Sequence, residues 1–595
     1  MEQKSTSKLT RRKLQQQEDW EEWRNSEFLQ LDQYKKQNMF GEPQPLPTNT
    51  DEDINVLPMI WTYLIKIGGR KKARCVANGA PHLKGSITLA HTYAACLEQS
   101  GCRLFWAIAA LKNKVVFGSD ASNAFAEAPP PVAPLYLKID DAYREWYEER
   151  TGTKIDKDNM YVKVQHAIQG HPESPRLWQN HINKILYEIG FKSTQHEPCL
   201  YYLGPEHFGE EIYLLRQVDD FAVACDTPET ADKIWDLIDS KLSENLKREG
   251  ILSRHNGIDI IQSQDYIKIT CETYIDKICK NKPFDWKKTK SVPIPMMDKD
   301  KLRELETTTG PEDPVDKKKL EDEFGFKYRT CTGELIFAMV TCRPDISFAI
   351  LKLTQYNHKP ARCHYQAIIT IYQYLNATKT EGLTYWRPCR NTLLPRMDIP
   401  QPTEEEYQLF IPPENRFIDV IYGYVDSDWA ADINSRRSVS GVLIMLAGAA
   451  VLYKTILQKT IAMSSTEAEF YALADAGKLT LYLRSVLNDL HLTQSNATPL
   501  YEDNEGCRLM ATANKATRRT RHIDIKHFAI LDWVQRDLID VKTIGTSDNA
   551  SDNLTKPNNK ILFYRHADTI MGRRCPEYVG NVGIQPVVRQ MTEYL

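Results

Sequence analysis

No stretch of this sequence approaches the ~20 uninterrupted apolar residues that cross a bilayer, so nothing in it reads as a membrane span. The opening run MEQKSTSKLTRRKLQQQEDWEEW lacks the apolar centre of a secretory signal. The 13 cysteines are scattered, form no CxxC pair and match no Cys/His zinc spacing. That excludes a zinc finger or a disulfide framework and predicts reduced, packed thiols in an intracellular protein. An excess of one charge is lacking too: 76 Lys and Arg against 79 Asp and Glu leave a net charge of -3. The chain as a whole is therefore not a strongly basic nucleic-acid binder, although a local basic groove suffices for that role.

What is present is material for cores. The hydrophobic fraction is 42%, with 29 Tyr, 18 Phe and 11 Trp. At ~150 residues per domain, 595 residues predict three or four domains. Trp20, Trp23, Phe28 and Leu31 recur at helical spacing and predict an amphipathic helix over 10–40. The proline-rich 41–53 reads as a linker, and 60–79 as a hairpin around Gly68 and Gly69 whose second strand is basic. A helix is expected over 88–112, and a polar linker over 290–319. Two helices broken at Arg343-Pro344 follow, then an exposed connection over 390–416. After 417 the pattern reads strand, strand, strand, helix, strand, helix, strand, helix. Ser464 with Glu467 supplies a capping box at the start of the long helix. The domains expected are 1–53, 54–289, 290–416, 417–565 and an unassigned tail over 566–595.

The sharpest local feature is IYLLRQVDDFAVACD, where Asp219 and Asp220 sit between two apolar runs. Adjacent carboxylates repel unless a cation holds them. Asp120 ends another predicted strand, and three carboxylates on one sheet can converge on magnesium. Two such ions ~4 Å apart clamp the attacking and leaving oxygens of a phosphoryl transfer. With 79 acidic residues in the chain a bare Asp-Asp pair is expected by chance, and by itself it reads as an ordinary polar turn.

The flanks decide between these. KKARCVANG, TYAAC, SDASNAFAEA, VQHAIQGHPESPRLW, GFKSTQHEPCLYY, LLRQVDDFAVA and NGIDII, in that order, resemble the reverse transcriptase of copia-type LTR retrotransposons. YRTCTGELIFAMVTCRPDISFAI resembles the segment that joins polymerase to nuclease in that family. The resemblance implies a right-hand polymerase with fingers, palm and thumb, α+β in class. It implies metal-holding roles for Asp120, Asp219 and Asp220, and Phe125 as a gate against the ribose 2′-hydroxyl. Gln169 and Gly170 would line the nucleotide site, with Ser174 and Pro175 just beyond. Lys72 and Arg74 would lean over the triphosphate, and a cationic strand suits that role. The pattern departs where Gln217 replaces a tyrosine near the primer end, where Ala95 replaces a proline, and in HPESPR, which has one basic residue fewer.

After residue 417, GYVDSDWAAD, SSTEAEFYAL, LYEDNEG and NASDNLTKP resemble the ribonuclease H domain of the same family, an α/β fold that the predicted element order also fits. Asp426, Glu469, Asp503 and Asp552 are the implied metal ligands. Asp428, on the same strand face as Asp426, is an alternative ligand, and Glu467 is explained by its cap. The basic run NKATRRTRHIDIKHF, with Arg518, Arg519, Arg521, His522 and Lys526, reads either as a phosphate contact for an RNA–DNA hybrid or as a solvated basic face.

The expected activity is RNA-directed DNA synthesis with hybrid-specific ribonuclease H. The expected cofactor is magnesium, two ions per site, with manganese as the substitute. The expected partners are RNA template, DNA primer, RNA–DNA hybrid and deoxynucleoside triphosphates, with no membrane, and either a second copy or other products of the polyprotein. The resemblance places the chain in a cytoplasmic virus-like particle with later nuclear access. No DTG or DSG triplet and no Cys/His region mark a protease or integrase part, so the polymerase–nuclease end of a polyprotein is expected. A decayed, non-catalytic nucleic-acid-binding remnant is one rival reading, which the presence of all seven carboxylates counts against; a nuclease alone is the other, which the Gln217 and Ala95 departures keep open.

Overall fold

The computed structural model describes residues 9–47, 54–65, 69–79, 92–284, 286, 292–296, 299–388, 393, 419–512 and 524–574. Near the N-terminus the expected single helix is split, because residues 15–19 leave the helical path between Arg11–Leu14 and α1 (Trp20–Lys36). Trp23, Phe28 and Leu31 are buried on one face of α1, as their spacing predicts.

The first sheet has the order β2-β1-β4-β5, built from β1 (Asn55–Ile65), β2 (Lys71–Ala77), β4 (Leu135–Lys138) and β5 (Tyr161–Lys163). β1 and β2 form the expected antiparallel hairpin, while β1 runs parallel to β4. Leu57 and Met59 alternate inward along β1, and Ala73 and Cys75 do so along β2.

The second sheet is fully antiparallel, in the order β10-β3-β9-β8-β7-β6. Its strands are β3 (Val115–Asp120), β6 (Lys192–Ser193), β7 (Leu200–Leu203), β8 (Ile212–Gln217), β9 (Asp220–Cys225) and β10 (Lys247–Ile251). Both faces are covered, and for that reason β8 and β9 read as unbroken apolar runs rather than alternating ones. Val116, Leu215, Ala222 and Ala224 pack on α2 (Gln99–Leu111). Val115, Phe117, Leu214, Phe221 and Val223 pack on α3 (Ser174–Ile189) and the helix Pro228–Asp239. α2 starts eleven residues later than expected from 88–112; residues 93–98 are extended coil and 80–91 lie outside the described residues.

The third sheet, β11 (Arg254–His255), β12 (Ile258–Gln262), β13 (Tyr266–Thr270) and β14 (Gly382–Trp386), draws its last strand from more than a hundred residues downstream. The stretch expected as a linker over 290–319 instead carries the helices Lys299–Thr307 and Pro314–Phe324. The first of these is anchored by the buried ion pair of Glu306 with Lys352, 2.6 Å apart. Sparse apolar residues hid it: Leu305 is its buried anchor. The break at Arg343-Pro344 is observed, with Arg343 buried and paired to Asp345 at 2.8 Å.

The fourth sheet has the order β17-β16-β15-β18-β19. β15 (Tyr422–Asp428), β16 (Val439–Leu446) and β17 (Ala449–Leu457) are antiparallel neighbours; β18 (Thr498–Glu502) and β19 (Ile539–Thr543) run parallel to β15. The long helix α4 (Ser465–Asp489) lies against it, with α5 (Glu505–Thr512), α6 (Asp524–Gln535), α7 (Asp552–Thr555) and α8 (Lys560–Ile570) following in the chain. α8 runs across residue 566, and Met571 and Gly572 accept hydrogen bonds from Thr384 and Trp386, so this part of the expected tail is folded onto β14. One apolar core runs from α2 through the third sheet to the fourth. The described cysteines are free thiols, nearly all buried. Among the described residues no helix is long and apolar enough to cross a membrane.

Candidate functional site

Two carboxylate groups stand on the second and fourth sheets. In the second sheet, β8 and β9 are joined by a two-residue turn, Val218 and Asp219. Val218 has φ +58°, a conformation that costs a β-branched residue about 1–3 kcal/mol. The turn is held by Trp178 of α3, whose buried Nε1 donates to the Val218 carbonyl at 2.7 Å. Asp120 is the register partner of Asp220, and the Ala121 amide donates to the Asp219 carbonyl at 2.9 Å. The three carboxylates are thus brought to one end of one sheet, as the sequence predicts. Burial, the Asp219 charge and the Asp120 charge push Asp220 up to about 7. Burial and Asp120 also raise Asp219, against the pull of Arg74 and Lys72.

That pull locates the basic hairpin. Lys72 and Arg74 lie two apart on β2, opposite the face buried by Ala73 and Cys75, and their charges reach Asp219. The Gln169 carbonyl accepts from the Ala77 amide at 2.9 Å. Gly170, at φ +94°, comes so close that a Cβ there would sit 2.1 Å from the Ala77 carbonyl oxygen. Gln169 and Gly170 are therefore clamped to the end of the basic strand. Phe125 lies on the short 3-10 turn Ala124–Glu127, half-buried against the core that contains Trp178. Gln217, the register partner of Asp220, has a buried Oε1 that accepts no hydrogen bond.

In the fourth sheet, Asp426 lies on the central strand, buried at 1% exposure. Asp426, Glu469 of α4 and Asp503 just beyond β18 each present an oxygen, all within 4.8 Å of one another. Among the described residues this is the one group of that size that could hold a metal ion, so the trio takes Asp426 rather than Asp428. Glu467 does cap α4: its amide donates to Ser464 Oγ at 3.2 Å, and its carboxylate accepts from the Met463 amide at 2.7 Å.

Asp552 opens α7, which closes on the sheet at Gly441, the register partner of Asp426. A Cβ on Gly441 would meet the Ser551 carbonyl at 2.9 Å, so a larger residue would push α7 and Asp552 away. Asn549 Nδ2 donates to the Val425 carbonyl at 2.8 Å and fixes the approach. Thr555 Oγ1 donates to Asp426 Oδ2.

Burial and the charges of Glu502, Asp426 and Asp503 push Glu469 up to about 11. Burial and Asp426 push Asp552 up to about 8 against the pull of Lys556. Glu469 Oε2 and Glu502 Oε2 are buried and accept no hydrogen bond. An all-oxygen donor set with mutual repulsion and orphaned acceptors fits a hard divalent cation, of the magnesium or manganese kind.

Sequence reasoning missed three participants. Glu502, fully buried beside Asp503, was overlooked because a strand residue next to a chosen ligand normally faces away. Trp178, at 1% exposure, carries no sequence signal that separates it from an ordinary core tryptophan. Lys556 carries no sequence signal of its own, and its Nζ is 2.9 Å from Asp552 Oδ1 and 3.7 Å from Asp426 Oδ1. Of the basic run, Arg518, Arg519, Arg521 and His522 lie outside the described residues. Lys526 sits on α6 with its ammonium 3.9 Å from the centre of the Tyr471 ring.

With this geometry in place, the comparisons are specific. The family described as "Reverse transcriptase (RNA-dependent DNA polymerase)" matches residues 48–298. The retrovirus-related Pol polyprotein of transposon TNT 1-94 from Nicotiana tabacum is 26% identical over 84% of this chain and 34% of its own length. That of transposon RE1 from Arabidopsis thaliana is 25% identical over 93% of this chain and 34% of its own. The chain thus spans about a third of the length of these curated relatives. Among solved structures, a foamy viral protease-reverse transcriptase in complex with double-stranded DNA aligns at 11% identity and a TM-score of 0.39, over 88% of this chain and 70% of that one. The family match and the breadth of the Pol relatives' alignments place the chain in the reverse transcriptase–ribonuclease H region of copia-type retrotransposon Pol polyproteins.

Proposed function

We propose that this chain is an RNA-directed DNA polymerase joined to a nuclease that cuts the RNA of RNA–DNA hybrids. The observation that carries the reading is that one chain holds two carboxylate groups on two sheets, Asp120 opposite Asp220 beside Asp219 on one, and Asp426, Glu469 and Asp503 with oxygens within 4.8 Å on the other. The first sheet serves as fingers, the second as palm, and the third sheet with its helices as thumb and connection. Asp120, Asp219 and Asp220 hold divalent metal at the palm, and Asp426, Glu469, Asp503 and Asp552 form the nuclease site.

Divalent metal, when bound, supplies Lewis acidity and lowers the pKa of water. The chain's own residues supply the rest. Lys72 and Arg74 balance the charge of the incoming triphosphate. Gly170 lets the backbone of its loop approach the nucleotide, and Phe125 bars a ribose 2′-hydroxyl. Gln217 lies beside the primer end. Arg518, Arg519, Arg521, His522 and Lys526 contact hybrid phosphates. Magnesium is the working ion and manganese substitutes for it. RNA template, DNA primer and deoxynucleoside triphosphates are the substrates, and a cytoplasmic virus-like particle is the setting.

The test is primer extension and hybrid cleavage by wild type, Asp219→Asn and Asp503→Asn in magnesium. The first variant loses extension by about 1000-fold, the several kcal/mol a metal's charge supplies, and keeps cleavage. The second does the reverse. A wild type that neither extends nor cuts refutes the reading.

A further inference from the structure

The four nuclease carboxylates do not form one even set. Asp426, Glu469 and Asp503 bring their oxygens within 4.8 Å of one another, and Asp552 stands outside that trio. The ammonium of Lys556 lies against Asp552 and one member of the trio, 2.9 Å from Asp552 Oδ1 and 3.7 Å from Asp426 Oδ1. We infer that Lys556 stands in the place of a second divalent cation, so that the nuclease site takes one metal ion, on the Asp426–Glu469–Asp503 face. The inference rests on the nuclease reading above and deepens it, replacing the expected two ions at this site.

The backbone prepares this position. Lys556 ends the short helix α7, and its amide still donates to the Asp552 carbonyl at 3.1 Å. Pro557 follows, and a residue before proline is excluded from the helical region. Lys556 accordingly has φ -146° and ψ 158°. That extended turn directs its side chain back along α7, where helix periodicity has placed Asp552 four residues earlier.

The ammonium, rather than the net charge of the site, opposes a second divalent ion here while Lys556 is in place. Both carboxylates that would bridge to it already face a cation, and Asp426 Oδ2 is further engaged by the Thr555 hydroxyl. An ion entering between Asp426 and Asp552 must displace the ammonium or sit against it, and like charges at contact distance repel strongly in a partly buried site. Lys556 is thereby a positioning residue for Asp552 and a fixed positive charge beside the trio. A lysine, unlike an ion, cannot be lost to a chelator.

The experiment counts manganese ions bound tightly by the full chain carrying Asp120→Asn and Asp219→Asn, which removes the palm site from the count. One ion is expected with Lys556 present and with Lys556→Arg, and two with Lys556→Met. Two ions with Lys556 present, or one in the Lys556→Met chain, overturns the inference. Should Lys556→Met fail to fold, the order of hybrid cleavage in manganese for the Lys556 chain decides: first order supports the inference and second order refutes it. The ion count does not depend on cleavage, so failure of the nuclease reading shows separately, as one bound ion without hydrolysis.

Discussion

Asp120 and Asp220 face each other directly across β3 and β9 as register partners in an antiparallel ladder. Like charges directly opposite are destabilising in such a pair. The sheet nevertheless keeps them together, next to Asp219 at a turn whose Val218 is itself strained. Under the proposed function, cation binding offsets both costs.

Asp220→Asn should therefore stabilise the metal-free chain, by on the order of 1 kcal/mol for a relieved like-charge pair. It should also shrink the gain in melting temperature that magnesium gives, since fewer carboxylates greet the ion. Thermal melts with magnesium and with chelator measure both. A variant less stable than wild type in chelator would show that the pair is not repulsive.

The nuclease carboxyls give the metal-free fold a pH dependence of defined sign. Glu469 is pushed from 4.5 up to about 11, and Asp552 from 3.8 up to about 8. Between those limits the folded state binds more protons than the unfolded one, so stability is present in full below about pH 4 and falls as pH rises. The loss is on the order of 1 kcal/mol per pH unit for each buried carboxyl. Chelator-treated protein should melt lower at pH 8 than at pH 6, and magnesium should flatten the trend. Glu469→Gln should flatten it without metal.

The sequence made both sites legible because their residues are local signals at strand and helix ends. Asp219 and Asp220 are flanked by apolar runs, Glu469 follows a capping box, and Asp503 follows a strand. Which carboxylates share a metal was not legible, since strand period alone cannot separate Asp426 from Asp428 or show that Glu502 turns inward. The helix Lys299–Thr307 was read as linker because its burial depends on Lys352, a residue far along the chain. The same holds for β14, whose partner β13 lies more than a hundred residues earlier. Long-range pairing of this kind leaves no periodic trace.

Gly170 should tolerate no side chain. Its φ of +94° lies outside the range L residues favour, and a Cβ would collide with the Ala77 carbonyl. Gly170→Ala must move the Gln169–Gly170 loop off β2, at a cost of about 1–3 kcal/mol. If that loop lines the nucleotide site, the KM for deoxynucleotides rises about tenfold or more, while hybrid cleavage is unchanged. Steady-state extension and cleavage on the same preparation measure the two. Equal losses in both would mean that the loop serves the whole fold and not the nucleotide.

Arg103 should govern how the second and fourth sheets move together. It lies on α2 at 4% exposure, with Nε donating to the Val451 carbonyl of β17 at 2.9 Å. Its Nη1 donates to the Val340 and Thr341 carbonyls, and its guanidinium lies 4.3 Å from the centre of the Tyr453 ring. A buried cation satisfied by three carbonyls and by the hydroxyl and ring of Tyr453 ties three parts of the chain at one point. Arg103→Leu keeps the bulk but orphans those acceptors, and hydrogen bonds to a charged donor are worth about 1.5–3 kcal/mol each. Because the tie joins separate sheets, its loss weakens their coupling more than either sheet. Calorimetry should resolve one unfolding transition in wild type into two in Arg103→Leu, the sign that cooperativity between the units has been lost. A single transition, merely lowered, would show that the shared apolar core alone couples polymerase to nuclease and that Arg103 only adds stability to it.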